Sequence, residues 1–370
     1  MPKIANADDD TQLLDALPAE DAAQVRKIRT GVREISRAFR QRHPFVDRFQ
    51  SEIGLGLLTG SALLMLACAV AFARGALPAW ATIVLIALAC SVAHEVEHDL
   101  IHRMYYPRVR AMQHLMLAVG WIMRPSSVNP WVRRHFHLEH HRISGTENDL
   151  EERWITNGEP WNVRRLFMTG DGFLATALRL PYAKPRRAFK LWVRATLAYG
   201  PLPWLYHLAL LAFIGMNVWA AMADTQPAWL TEQLATVNLV AVVWLLPNIL
   251  RTFCLHFVSS NVHYYGDILP GDILRQTQVI DRWFFLPFQL FCFNFGSTHA
   301  IHHFWVSEPF YIRQWTAKEA HALLRRHGVR FNDLDTFRRA NRYGEAVQAK
   351  GWQLEVKRPS RAKPSLSPSA

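Results

Sequence analysis

The 370-residue chain is 50% hydrophobic and only 19% charged, which makes it too apolar for an ordinary soluble enzyme. Its formal net charge of +12 would suit a nucleic-acid-binding protein, but the lysines and arginines flank apolar segments, as is typical of residues that meet anionic lipid headgroups. The four cysteines lie in apolar runs without a CxxC pair, which excludes an in-chain cysteine-ligated zinc or iron–sulfur site. We therefore expect a membrane protein that does not bind nucleic acid.

The N-terminal part of the chain is polar, and its residues 26–48 form a basic stretch in which apolar residues recur every three or four positions. This spacing predicts a helix that either lies on the membrane face or packs on the protein as a solvated helix. Residues 53–73 form an uninterrupted apolar run, and about 20 residues are enough to cross a bilayer. A tight turn leads to a second apolar run at 80–93. The two runs predict a transmembrane hairpin whose second helix continues into His94.

Three later apolar segments complete the predicted membrane region. Residues 111–123 are too few to span and predict a re-entrant or interfacial helix, whereas 198–223 and 234–258 are long enough to cross. The loop 224–233 has acidic residues but no lysine or arginine, so the positive-inside rule places it outside. We therefore expect an all-α integral membrane protein with about four transmembrane helices. Its termini and histidine groups are expected on the cytoplasmic side.

The remaining segments suggest a division of the chain into four regions. A short apolar run at 283–295 predicts a further buried or interfacial segment close to the last histidine group. The tail after residue 355 is basic and rich in proline and serine, which is typical of disorder. We expect a polar and amphipathic segment at 1–50, the histidine-bearing membrane domain at 51–315, a cytoplasmic helical extension at 316–355 and a disordered basic tail at 356–370.

Nine histidines recur with helical spacing, at places where an apolar segment meets a basic, polar one. In HEVEH, HFHLEHH and THAIHH, histidines three or four positions apart share a helix face and can chelate together. A lone histidine in HYYGD, at the end of the last span, is expected at the same depth. The predicted metal ligands are His94, His98, His137, His140, His141, His263, His299, His302 and His303.

Other polar residues near these groups are candidates for supporting the ligands. His102 lies one turn beyond His98, and we expect it to assist the ligands without binding metal itself. Nearby carboxylates can accept the second ring N–H of a ligand and supply negative charge, or they can simply be solvated or paired with arginine. These carboxylates are Glu95, Glu97, Glu139, Asp149 and Asp267.

Nine imidazoles are too many for one metal ion, so the sequence predicts two ions with open coordination positions. Imidazole suits iron, copper or zinc. A site at an acyl-chain interface implies attack on unactivated C–H bonds, which needs an oxidant made from dioxygen, and we therefore expect iron. A histidine-rich metal transporter and a zinc hydrolase are alternatives of a different class. Transporters, however, tend to bind their cargo near the bilayer midplane and between internal repeats.

The pattern HxxxH, HxxHH, a lone histidine and a second HxxHH resembles the membrane-bound fatty acid desaturase and hydroxylase superfamily, over residues 53–310. That superfamily includes acyl desaturases, alkane hydroxylases and fatty-acid decarboxylases that form terminal alkenes. The resemblance implies a four-helix membrane bundle with a cytoplasmic helical cap, two iron ions and dioxygen as co-substrate. It also implies a separate electron donor, such as a ferredoxin or a reductase. Ser259 departs from the family, whose members often have an asparagine there that holds a metal-bound water.

The resemblance also implies a fatty acid or acyl substrate. Desaturation is the simplest expected reaction, and oxidative decarboxylation of a medium-chain acid to a terminal alkene and terminal hydroxylation are the alternatives. Residues before the second HxxHH group could bind the carboxylate or acyl headgroup, because guanidinium matches carboxylate bidentately. The same arginines could instead meet lipid phosphate. The candidate headgroup residues are Arg124, Asn129, Trp131 and Arg133.

Overall fold

The computed structural model describes residues 17–179, 185–223, 225 and 227–344, and this part of the chain is helical, with isolated bridges in place of strands. The acidic start and the predicted disordered tail lie outside the described residues. In chain order the helices are α1 Ala19–Arg42, α2 Pro44–Arg48, α3 Gln50–Ala73, α4 Ala79–Ile101, α5 Arg110–Met123, α6 Pro130–Ile143, α7 Leu150–Trp154, α8 Val163–Gly170, α9 Gly172–Ala177, α10 Pro185–Tyr199, α11 Leu202–Met222, α12 Ala228–Val240, α13 Leu246–Val262, α14 Leu286–Leu290, α15 Phe295–Phe304 and α16 Phe310–Arg326.

Four segments among the described residues are long and apolar enough to cross a membrane, as the sequence predicts. They are α3, α4, α11 and the continuous segment Ala228–Val262, in which a π-helical turn, Ala241–Leu245, joins α12 to α13. The last segment begins earlier than expected, so the predicted loop at 224–233 is wrong in length. Pro227 precedes the first residue of α12, and the apolar side chains that follow it continue the span outward.

Helix α4 lies at the centre of the membrane bundle. Over half of its most apolar stretch is buried, at 56%, whereas only 6% of the corresponding stretch of α11 is buried. Ile86, Cys90 and Val96 of α4 pack with Leu58 of α3 and Met116 of α5 in one core. The short helix α5 therefore packs against the spans without crossing the membrane itself, in agreement with the length of its apolar run.

The amphipathic N-terminal helix packs on the protein. The apolar face of α1, formed by Val25, Ile28 and Val32, is fully or almost fully buried against Ala320 and Leu324 of α16. Two arrangements were expected for this helix, and the structure shows the one in which it packs on the protein.

The end of α5 is fastened to the last span. The side-chain amide of Asn248 donates to the Met123 carbonyl at 3.1 Å, and Nε1 of Trp244 donates to the Ile122 carbonyl at 2.9 Å. These bonds satisfy carbonyls that a helix end would leave without a partner. They also bring Arg124, the residue after α5, close to Arg251 in the middle of the membrane bundle.

Candidate metal centre

Four elements direct histidine side chains into one buried space. The end of α4, the C-terminal half of α6, the residue that terminates α13 and the length of α15 each contribute rings. Among the described residues the rings form two groups, and within each group the four ligand nitrogens all lie within 4.8 Å of one another. The first group is His98, His102, His137 and His302, and the second group is His140, His263, His299 and His303.

The nitrogens of the first group converge closely. Nε2 of His102 lies 3.0 Å from Nε2 of His137 and 3.1 Å from Nε2 of His302. His141 adjoins this group, because its Nε2 lies 3.2 Å from Nε2 of His137 and 3.1 Å from Nε2 of His302. His141 is therefore close enough to serve as a fifth ligand in the first group.

The second group has the same spacing and is more deeply buried. Nε2 of His303 lies 3.2 Å from Nε2 of both His263 and His299 and 3.4 Å from Nε2 of His140. All four side chains are at most 4% exposed. The second group therefore resembles the first in geometry but is shielded from solvent.

These distances fit a metal ion in each group. Two nitrogens that bind one ion at about 2.0–2.1 Å are about 3.0–3.4 Å apart in octahedral or tetrahedral geometry. Hydrogen bonding alone does not explain the arrangement, since a neutral ring nitrogen either donates or accepts and three converging nitrogens cannot all pair with one another. Imidazole sets of this kind suit iron among other metals.

Carboxylates fix the orientation of several rings through contacts with their Nδ1 atoms. Nδ1 of His140 donates to Asp149 Oδ2 at 2.7 Å, and Nδ1 of His137 donates to Glu151 Oε2 at 2.9 Å. Nδ1 of His263 donates to the Ser259 carbonyl at 2.9 Å, and Glu152 Oε1 lies 3.2 Å from the same nitrogen. Ionised carboxylates and backbone carbonyls only accept hydrogen bonds, so in these three rings Nδ1 carries the proton and Nε2 keeps its lone pair for a metal.

The electrostatics of the site keep most ligand rings neutral. Burial lowers the pKa of His263 to about 3 and lowers the pKa of His303 strongly, and neighbouring imidazoles add to both effects. His140 is the exception: burial lowers its pKa, but Asp149 outweighs burial and raises it. Burial would raise the pKa of Glu151, yet the contact with His137 and the nearby guanidinium of Arg133 lower it. Neutral rings beside ionised carboxylates are the protonation states that a cationic metal requires.

In the first histidine motif the structure brings a different pair of rings together from the pair expected as ligands. His102, expected only to assist, lies in the first group, whereas His94 belongs to neither group. Nδ1 of His94 lies 3.2 Å from Glu95 Oε1, and its Nε2 lies 3.4 Å from Nη2 of Arg133. Each ring has a neighbour one turn away on α4, so the spacing in the sequence is equally consistent with either pair.

The expected supporting carboxylates divide into those near the rings and those elsewhere. Asp149 and Glu95 contact histidines, whereas Glu97 pairs with Arg124 and Arg133. Glu139 is exposed and pairs with Arg142, and Asp267 accepts from the backbone of Tyr343 and Gly344. Sequence reasoning missed Glu151 and Glu152, although they stand in the acidic stretch that follows the second motif.

A cavity of about 90 Å³ lies against both histidine groups, and the expected headgroup residues differ in their relation to it. Arg124 and Arg133 line the cavity. The Asn129 side chain instead accepts from the Trp131 N–H, and Trp131 Nε1 donates to His114. Sequence reasoning missed a third cavity arginine, Arg251 of α13.

Comparison with protein families places most of the chain in a known family. The family model described as fatty acid desaturase matches residues 74–335, which is more than half of the chain. The matched range contains every histidine of the two groups. No curated protein matches this chain.

Proposed function

Because this chain belongs to the fatty acid desaturase family and is an integral membrane protein, we propose that it oxidises a fatty acyl chain with two iron ions, dioxygen and electrons from a separate donor. The observation that carries this proposal is the pair of four-histidine groups side by side against one cavity. Iron held by such groups would supply an oxidant made from dioxygen that can take hydrogen from an unactivated C–H bond. The chain is accordingly an oxidoreductase of the desaturase and hydroxylase superfamily.

The protein's own part is to position the chain and to exclude water. Phe136, Leu255 and Phe295 give the cavity an apolar wall next to the histidines, against which methylene groups can pack. Apart from the histidines and two glutamates, the polar lining consists of arginines and hydroxyls, which suit the polar end of the substrate. A chain held in this way presents its C–H bonds to the metal centre in a site without bulk water, which limits side reactions of the oxidant.

Desaturation is the simplest reaction for such a site. Removal of two hydrogen atoms from adjacent carbons gives a double bond, and the electrons go to dioxygen together with those from the donor. In this reaction the chain keeps all of its carbons.

Oxidative decarboxylation is a second candidate, favoured by the buried guanidinium groups in the same cavity as the histidines. A carboxylate held there would direct the first carbons of the chain along the same cavity toward the metal centre. Loss of a hydrogen atom from C3 and of one further electron cleaves the C1–C2 bond, releasing CO2 and a terminal alkene. Dioxygen again accepts the electrons. Hydroxylation at the methyl end is less consistent with a cationic cavity.

Product analysis separates these reactions. Membranes containing the protein are incubated with dodecanoic acid, a reductase and ferredoxin system and dioxygen, and the headspace and lipid extracts are analysed. Dodecenoic acid indicates desaturation, and undecene in the headspace indicates decarboxylation. The His302→Ala variant in the same membranes is the control and should give neither product.

Metal analysis tests the class of protein. We expect about two iron ions per purified chain and an absorption change when the reduced protein meets dioxygen. Zinc in place of iron, with no response to dithionite and dioxygen, would support a zinc hydrolase or a transporter and would contradict the oxidase.

A further inference from the structure

The cavity beside the histidine groups contains a buried arginine without a counter-charge. Arg251 is 2% exposed, and its Nη2 donates to Thr252 Oγ1 at 2.8 Å and to Ser127 Oγ at 3.4 Å. Its Nε and Nη1 have no hydrogen-bond partner among the described residues, and no carboxylate there lies within ion-pair distance of it. An isolated buried cation is costly, so it calls for an anion.

The other two cavity arginines do not need a further anion. Glu97 pairs with both Arg124 and Arg133, and Arg133 also lies 3.5 Å from Glu151. Glu151 also accepts from His137, and the remaining carboxylate of the lining, Glu152, lies beside His263 and pairs with none of the three arginines. Among the described residues, Arg251 is therefore the cavity arginine that has no carboxylate partner.

The size of the cavity limits what the anion can be. About 90 Å³ is well below the roughly 300 Å³ at which pockets begin to enclose a whole small-molecule ligand, so only one end of a substrate fits inside. A carboxylate fits this space and matches a guanidinium bidentately. A thioester or a glycerolipid ester offers a neutral carbonyl and a bulky group, and leaves the charge of Arg251 uncompensated.

We propose that Arg251, with Thr252 and Ser127, binds the carboxylate of a free fatty acid and that the enzyme therefore takes the free acid as its substrate. The proposal rests on the function proposed above and specifies its substrate class. The hydroxyl oxygen of Thr252 also lies 3.2 Å from the hydroxyl oxygen of Ser126, so a small polar cluster surrounds the guanidinium. The carboxylate binds on the membrane side of the histidine groups, and the chain runs from it along the same cavity toward them.

Ligand binding tests the proposal on the purified full-length protein with its metal. Melting temperatures are measured with dodecanoate and with 1-dodecanol, which share a chain but differ in charge, in one detergent. Dodecanoate should raise the melting temperature of the wild type more than dodecanol does, and Arg251→Gln should abolish that difference. Arg251→Lys, which keeps the charge, should retain part of it. Equal stabilisation of the wild type by acid and alcohol, or an unchanged preference in Arg251→Gln, would overturn the proposal.

Stability without ligand distinguishes a binding role from a structural one. Arg251→Gln removes an uncompensated buried charge and should raise the melting temperature of the ligand-free protein. Arg165→Gln is the matched control, since that buried arginine is fully engaged by Thr156, the Glu159 carbonyl and Asn341 and its loss should lower the melting temperature. A fall in both variants would mean that Arg251 is structural.

Turnover separates the failure of this proposal from the failure of the proposed function. For dodecanoate, Arg251→Gln should raise KM about 10- to 100-fold at unchanged iron content, because charge-assisted hydrogen bonds to the carboxylate are lost. Oxidation of dodecanol or an acyl thioester by the wild-type enzyme as efficiently as dodecanoate would support the oxidase function but contradict the carboxylate site. A wild-type protein that binds dodecanoate selectively and oxidises no chain at all refutes the oxidase instead.

Discussion

Three histidines occupy successive turns of α4, and their position along the helix decides which rings reach the metal centre. His98 and His102, at the end of the helix, belong to the first group, whereas His94 lies one turn deeper in the membrane bundle. His94 instead contacts Arg133 in the cavity. The three side chains are chemically equivalent, so their different surroundings on α6 and α15 account for their different roles.

Replacement of these histidines by alanine tests which of them bind the metal. His102→Ala should lose about half of the bound iron or more, because it removes one of four nitrogens in the first group, and it should abolish turnover. His94→Ala, the matched variant on the same helix, should keep the iron content of the wild type. Iron is measured by mass spectrometry on protein purified in one detergent. Full iron content in His102→Ala, together with iron loss in His94→Ala, would mean that His94 and His98 are the ligands of this motif, as expected from the sequence.

At the scale of elements, α16 fastens the part of the protein beyond the membrane to α4. Arg313 lies 3.2 Å from Asp99 Oδ1 and 3.6 Å from Glu95 Oε2, and the backbone N–H of Phe310 donates to Asp99 Oδ2 at 2.9 Å. Tyr105 donates to the same carboxylate at 2.7 Å. These groups are all buried, and Asp99 directly follows His98. The contact therefore fixes the end of α4 that carries the histidines.

Breaking this buried contact should destabilise the protein. Arg313→Met leaves Asp99 and Glu95 without their cation, and removal of one partner of a buried pair costs about 3–5 kcal/mol. Arg325→Met on the same helix breaks a pair with Asp281 in which the arginine is 53% exposed, and it should cost at most about 1 kcal/mol. Unfolding by heat and by denaturant in one detergent measures both. Similar losses in the two variants would contradict a fastening role for Arg313.

The sequence predicts much of the helical framework because its signals are local. Apolar runs near the length of a bilayer mark the four spans, and helical spacing marks the histidine motifs. The position of α1 could not be predicted, since an apolar stripe of Val25, Ile28 and Val32 fits a membrane surface as well as it fits α16. The end of the loop between the last two spans was misplaced because a helix begins directly after Pro227, which polar composition alone does not indicate.

The candidate site depends on contacts between distant parts of the chain, and the sequence predicts it less completely. Seven of the eight histidines in the two groups are predicted as ligands from the sequence, but the choice of His102 over His94 depends on where α4 meets α6 and α15. Glu151 and Arg251 are further cases. Their spacing from the histidines has no helical period, and they reach the site only through the folding of the intervening segments.

At the scale of the whole molecule, the positions of the loops define a topology that can be measured. The turn at Ala76 and the short connection at Thr225 join successive spans at the end away from the histidines. We propose, from the positive-inside rule, that these two connections are outside and that the histidine groups are cytoplasmic.

Single-cysteine labelling tests this topology. The four native cysteines are buried and should react slowly with a membrane-impermeant maleimide, so they provide a low background. In bacterial spheroplasts Ala76→Cys and Thr225→Cys should be labelled at once, and Arg338→Cys, an exposed position on the other side, only after permeabilisation. Labelling of Arg338→Cys alone in intact spheroplasts would invert the topology.

The two histidine groups also join elements that are far apart in the chain, and metal should therefore stabilise the whole molecule. The first group takes rings from α4, α6 and α15, and the second takes rings from α6, α15 and the end of α13. A ligand that binds only the folded state adds about 2.7 kcal/mol per site to the free energy of unfolding when its free concentration is 100 times its Kd.

Removal of iron with a chelator should accordingly lower the melting temperature by several degrees, and added ferrous iron should restore it. His303→Ala, which lacks one ring of the second group, should show a smaller shift on chelation because only the first group remains complete. A melting temperature that does not change with iron in the wild type would mean that the groups do not hold a metal that bridges these elements.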